Sequence, residues 1–238
     1  MFRRTESLHT FIRLYPAVTI ISCIHVVLWI MMKLSFPIFT LLFSFLIGYN
    51  AGVHSGEWWR LITPMFLHTS FSHLLFNTIT LIIFAPPLER MVKSIYFLVI
   101  YSASGILANI ATYLIMPMDY SHAGASGAIF GILGTYMFIC FFRKEYMDQK
   151  NSQMILTVTA IALVLSFIDA HVNVVAHVTG LLAGFLLGKV FVRKKPSFIH
   201  YTYYHQPVRQ ERMKLFFKKW SIWIFVFVFI LAAILYVL

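Results

Sequence analysis

The stretch HAGASGAIFGILG, residues 122–134, decides how this chain folds. Its glycines, Gly124, Gly127, Gly131 and Gly134, fall at steps of three, four and three, which is one stripe along a helix. A second stripe, Ala176, Gly180, Gly184 and Gly188, falls at steps of four. Such stripes let helix axes approach closer than the usual ~8–10 Å. In lipid, where packing joins helices, they mark contact faces. Ser126 and His177 stand at the edges of the stripes, next to Gly127 and Ala176. If the stripes face each other, a hydroxyl and an imidazole meet. That pair serves as a nucleophile and general base, or equally as a packing hydrogen bond.

The composition sets the solvent. Of 238 residues, 60% are hydrophobic and 11% charged, with a mean hydropathy of +0.82. Soluble domains carry about 25% charged residues, so this chain reads as an all-α polytopic membrane protein built as one bundle. Its 24 Phe, 12 Tyr and 5 Trp suit lipid-facing and interfacial positions. The net charge of +11 would raise nucleic acid in a soluble protein. Here the basic residues lie mainly between apolar segments, which assigns them to topology and leaves no nucleic-acid partner expected. Cys23 and Cys140 lie in apolar runs with neither disulfide nor zinc spacing. The run after Arg3, Arg4 and Arg13 meets no small-residue cleavage site in MMKLSFP, so it reads as an uncleaved first span.

Seven segments are apolar enough to span, at about 15–34, 69–84, 94–115, 124–142, 153–169, 172–191 and 220–238. The stretch 36–48 is apolar but short and opens near a proline, which suits an interfacial or re-entrant piece. With that stretch not spanning and the N-terminus cytoplasmic, every Lys and Arg except Lys33 and Arg60 falls inside. The positive-inside rule therefore expects six spans at 1–191, a basic cytoplasmic linker at 192–219, and a seventh span at 220–238 ending outside. The linker is expected to contact anionic lipid.

Spans two, four and six then run from outside to inside, and each carries polar residues in its first turns. They are His73 and Asn77, Ser126, and His177. Such groups within spans are costly and usually mark function. His73 and Asn77 share one helical face, about 6 Å apart along the axis, and both can donate hydrogen bonds to a developing oxyanion. The Ser126 N–H near a helix start is a further donor. No Asp or Glu stands beside His177, and Asn173 supplies no charge, so the sequence expects a Ser–His dyad.

These residues resemble a known family. Gly124-Ala125-Ser126-Gly127 resembles the GxSG motif of the rhomboid intramembrane serine proteases. Ala176-His177-Val178-Thr179-Gly180 resembles their AHxxG motif, His73 to Asn77 their HxxxN motif, and Trp59-Arg60 the pair in their first external loop. The resemblance covers about 56–188, with the motifs in family order. It implies a rhomboid-like six-helix bundle with an additional C-terminal transmembrane helix and a water-filled cavity open to the outside. It implies that Ser126 attacks the scissile carbonyl and that His177 relays the proton. His73, Asn77 and the Ser126 amide would hold the oxyanion, with Phe130, Gly124, Gly127, Gly180, Trp59 and Arg60 in support. Substrates would be transmembrane proteins within the lipid bilayer, with no metal or cofactor. Phe130 stands where several members have Tyr, and Glu89 follows Ala85-Pro86-Pro87 where glycine is more usual. A prokaryotic plasma membrane is expected.

Two other readings compete. One is an inactive rhomboid-like protein that binds transmembrane helices, though all the recognised positions are filled. The other is a transporter using His73 and His177 as a proton relay, though no inverted repeat is visible and the polar residues cluster at one depth. His68 lacks an HExxH arrangement for zinc. His54, His122 and His171 read as solvated loop residues, Asp119 and Asp169 as loop caps, and His25 as a helix contact.

Overall fold

The computed structural model describes residues 1–2, 4–34, 36–168 and 172–193. A short helix α1 (Leu8–Leu14) leads into α2 (Pro16–Lys33) and α3 (Pro37–Leu46). A two-residue strand β1 (Gly48–Tyr49), helix α4 (Asn50–His54) and 3₁₀ turns at Trp58–Leu61 and Thr63–Phe66 follow. Then come α5 (Phe71–Val92), α6 (Ser94–Ile115), β2 (Ser121–His122), α7 (Ser126–Phe142), α8 (Gln149–Ile168) and α9 (Val174–Phe191). Five of these, α2, α5, α6, α8 and α9, are long and apolar enough to cross a membrane, and α7 is a shorter apolar helix. Together they fall on the six expected spans of an all-α polytopic fold. The expected span at 220–238 and most of the basic linker lie outside the described residues.

Two boundaries differ from the sequence expectation, and the stretch at 36–48 agrees with it. The helix carrying His73 does not stop before Pro86 and Pro87 but runs through both to Val92. Prolines withhold two N–H donors, yet a membrane helix tolerates this where neighbours supply replacements. The carbonyls left without their helical donors are those of Ile82 and Ile83, and next to them the Tyr136 hydroxyl donates to Phe84 O at 2.7 Å, tying this part of α5 to α7. Helix α8 starts earlier than 153 because Asp148 caps it, accepting from the Asn151 N–H at 2.8 Å. The stretch at 36–48 forms α3, whose ten residues reach only about 15 Å, too short to cross.

Helix α7 is the centre of the bundle, with thirteen of its residues buried on every side, from Gly127 to Cys140. The two small-residue stripes do face each other. A Cβ on Gly184 would overlap the carbonyl oxygen of Gly131, one on Gly180 that of Gly127, and one on Gly134 that of Leu181. Main chain therefore rests on main chain along α7 and α9. On its other flank α7 meets α6, where a Cβ on Gly127 would stand 2.8 Å from the Ala108 methyl and one on Gly131 would overlap Ser104.

The helix ends are closed by side chains from elsewhere, as a medium without water requires. The last carbonyls of α3 are taken by the following turns. Arg60 donates to Ser44 O at 2.8 Å and Ile47 O at 2.7 Å, the Trp59 indole donates to Phe45 O at 2.9 Å, and the Thr63 hydroxyl bonds to Leu46 O. The Asn50 amide closes α6, donating to Met116 O at 3.1 Å and Pro117 O at 2.9 Å. Strand β1 pairs antiparallel with β2, fastening the first loop to the segment before α7. At the opposite end, Glu89 of α5 caps α2, accepting from the N–H groups of Ala17 and Val18 at 3.0 Å each. The same carboxylate accepts from the Ser94 hydroxyl at 2.6 Å, across the one-residue turn at Lys93.

The stripe contacts predict a sharp asymmetry between two glycines. A methyl at Gly184 meets backbone, whereas one at Gly105 meets chiefly the movable tip of Met65. Gly184→Ala should destabilise the bundle by about 3 kcal/mol or more and Gly105→Ala by less than about 1 kcal/mol. Thermal unfolding in detergent measures both. Equal effects would mean that the α7–α9 contact is not backbone on backbone.

Candidate active site

Helices α5, α7 and α9 run in one direction, so their first turns share one end. Ser126 is the first residue of α7 and is half-buried. The preceding Ala125 offers no capping side chain, so the first N–H groups of α7 are not taken by one. Two residues before Ser126, Gly124 holds φ at 144°, and its N–H donates to Pro64 O at 2.9 Å. A side chain there would be strained by that φ. It would also stand 2.7 Å from His73 Cε1 and Nε2 and 3.8 Å from Ser126 Oγ. Gly124 therefore lets the His73 ring reach the start of α7.

His177 lies in the first turn of α9, which Asn173 caps by accepting from the Ala176 N–H at 3.0 Å. Asn173 is itself tied to α6, donating to the Thr112 hydroxyl at 2.9 Å. The His177 ring is 8% exposed and stacks on Phe130, with centroids 4.2 Å apart and planes at 21°. Phe130 is one turn on from Ser126 along the same face of α7. Stripe and stack together put Ser126 and His177 at neighbouring positions, and Gly127 and Gly180 are the residues whose missing side chains permit it. Nδ1 of His177 hydrogen-bonds the Ser166 hydroxyl of α8 at 2.6 Å.

His73 and Asn77 follow Ser70, which caps α5 by accepting from the His73 N–H at 3.2 Å. Asn77 is buried, and its amide donates one hydrogen bond to His73 O at 3.0 Å. Behind His73 the rings of His68 and His25 form a column, with centroid separations of 5.1 and 4.8 Å. The Tyr101 hydroxyl lies 3.2 Å from His25 Nε2. His25 is thus the helix contact expected, between α2 and α6. Burial first, and then the imidazoles of His25 and His73, pushes His68 down to about 3. No group of three His, Cys, Asp or Glu residues among the described ones is arranged to hold a metal ion.

Ser126, His177, His73, Phe130, Gly124, Gly127 and Gly180 are thus brought together. Trp59 and Arg60 are not; their side chains are engaged on the end of α3. His122 is not a solvated loop residue. It is largely enclosed, with Nε2 donating to Asn109 Oδ1 at 3.2 Å, because β1 and β2 fold it under the first loop. His54 is exposed, and His171 and Asp169 lie outside the described residues. Sequence reasoning missed Ser166, which sits in an apolar run eleven residues before His177 with no local signal to mark it.

A family model for the Rhomboid domain matches residues 55–194. The rhomboid protein YdcA of Bacillus subtilis (strain 168) is 51% identical over 195 residues, 82% of this chain and 98% of that protein. The rhomboid protease GluP of the same organism is 38% identical over 136 residues, 57% of this chain but 26% of GluP. Rhomboid-like protease 1 of Toxoplasma gondii is 26% identical over 182 residues, 74% of this chain and 62% of that protein.

The enclosure of His122 has a measurable consequence. Burial pushes its imidazole from the ordinary 6.5 down to about 4. The unfolded chain then binds the proton more readily, so this group's contribution is complete above about pH 6.5 and is lost as pH falls toward 4. His68 acts in the same direction. The melting temperature in detergent should fall across that window, and less steeply in His122→Gln, which keeps a donor for Asn109. Parallel curves for the two proteins would exclude His122 as a contributor.

Proposed function

Because the chain belongs to the rhomboid family, we propose that it is an intramembrane serine endopeptidase that works through Ser126 and His177. The observation that supports this reading is the stack of His177 on Phe130, one helical turn along α7 from Ser126. Ser126 Oγ attacks the scissile carbonyl while His177 takes its proton. The same proton then passes to the leaving amine, and water hydrolyses the acyl-enzyme by the reverse relay. No carboxylate stands behind the imidazole among the described residues, so the pair works as a dyad.

The oxyanion needs donors preorganised where charge develops. The uncapped N–H groups at the start of α7 supply one set, strengthened by the positive end of the helix dipole. The His73 ring, which Gly124 admits to the same end, supplies another. An amide nitrogen carries two N–H groups, so Asn77 retains one for substrate after bonding His73 O. Every step balances with a peptide bond, water and these side chains, so no metal or cofactor enters it.

The substrate is a transmembrane protein segment held in the bilayer. A helical carbonyl is engaged in its own hydrogen bond and is hidden from attack. The segment must therefore unwind near the cut, where Ser126 and its donors meet it. Arg13, Lys93, Arg143, Lys150, Lys189 and Arg193 flank the helix ends remote from Ser126. With positive charge cytoplasmic, the site opens to the external side of what we take to be a prokaryotic plasma membrane. The catalytic bundle is then 1–191, with a basic linker at 192–219 and an added helix at 220–238.

In liposomes carrying a single-span reporter, Ser126→Ala and His177→Ala should each lower kcat by at least about 10³-fold. Cleavage that survives Ser126→Ala would refute the nucleophile. Absence of cleavage by the unmutated protein, with no labelling of Ser126 by a fluorophosphonate, would favour a helix-binding protein or a proton-relay transporter. Asn77→Ala should lower kcat by roughly 10²-fold with little change in KM. An equal effect on both constants would remove Asn77 from the oxyanion site.

A further inference from the structure

A general base needs its ring held in one tautomer, and in serine hydrolases that task usually falls to a buried carboxylate. Here it falls on a different helix and a different functional group. Ser166 of α8 is 3% exposed and makes two contacts through one oxygen. Its hydroxyl donates to Ala162 O, one turn back, at 2.7 Å, and it meets His177 Nδ1 at 2.6 Å. A carbonyl can only accept, so the single hydroxyl proton is committed to Ala162. Toward His177 the oxygen then acts as acceptor, and Nδ1 carries the imidazole proton. Nε2 is left with a lone pair, which is the form a base must have.

We infer that Ser166 is a positioning residue that fixes His177 in its Nδ1-protonated tautomer, an inference that rests on the Ser126–His177 reading. Two further observations support it. Ser166 has no need of His177 for its own satisfaction, since the Ala162 bond already occupies its proton. It is also, with Ile155 and Thr159, one of only three buried residues on α8, so the helix turns this oxygen inward while showing lipid most of its surface. The choice of group follows from the solvent. A neutral imidazole buried in a membrane needs one acceptor for its N–H, and a hydroxyl supplies it without the cost of a buried carboxylate. The base is then oriented through the packing of α8 against α9.

Two measurements test this on the full chain in detergent. In ¹⁵N-histidine spectra, with His177 assigned by its absence in His177→Asn, the protonated ring nitrogen should be Nδ1. Finding the proton on Nε2 overturns the proposal, whatever any variant does. With a single-span reporter, Ser166→Ala should lower kcat by roughly 10–100-fold and change KM by less than about twofold. Ser166→Thr, which keeps the hydroxyl, should restore most of kcat. Cleavage that requires Ser126 but is indifferent to Ser166→Ala overturns the positioning role and leaves the dyad standing. Cleavage indifferent to Ser126→Ala overturns the dyad itself.

Discussion

The contact on which the rest of this protein depends is main chain against main chain, where α7 and α9 lie together. In lipid, apolar side chains gain nothing by leaving their surroundings, so helix association draws on close packing. Gly131 and Gly184, and Gly127 and Gly180, supply the closest packing a helix pair can have. The chemistry inherits its geometry from this seam. Ser126 precedes Gly127 and His177 follows Ala176, so the backbone separation of these two residues is set by the seam. Phe130 adds a flat surface that holds the imidazole ring at a fixed tilt.

A second constraint is the accounting of polar groups. Loops at the end of the bundle that holds Ser126 would expose unpaired carbonyls to a medium that cannot solvate them. Trp59, Arg60 and Thr63 take those of α3, Asn50 those of α6, and Asn109 joins His122 to the 3₁₀ turn at Trp58–Leu61 by donating to Leu61 O at 2.9 Å. The bonds have a collective effect: they tie the first loop to α6 and β2.

Much of this was legible in the sequence, and the reasons are particular. Charge fixed the reading of the stretch at 36–48, because a spanning α3 would have scattered the basic residues over both faces. Glycine spacing gave the α7–α9 seam because backbone contact leaves a periodic mark. The extent of α5 was not legible. The apolar run reads as ending at about 84, before the two prolines, yet α5 continues through them to Val92 and carries Glu89 to the start of α2. Nor was Ser166 legible. A serine bonded one turn back looks the same in sequence whether or not an imidazole lies on its far side. His122 failed as a solvated residue for a similar reason, since a two-residue sheet between distant loops leaves no periodic signature.

Glu89 carries one more consequence. Its carboxylate gathers the start of α2, the end of α5 and the start of α6 at a single point near the face opposite Ser126. The starts of α2 and α6 are therefore held to the end of α5 by one side chain. One carboxylate thus serves three helix ends at once, although it touches none of the residues at the start of α7.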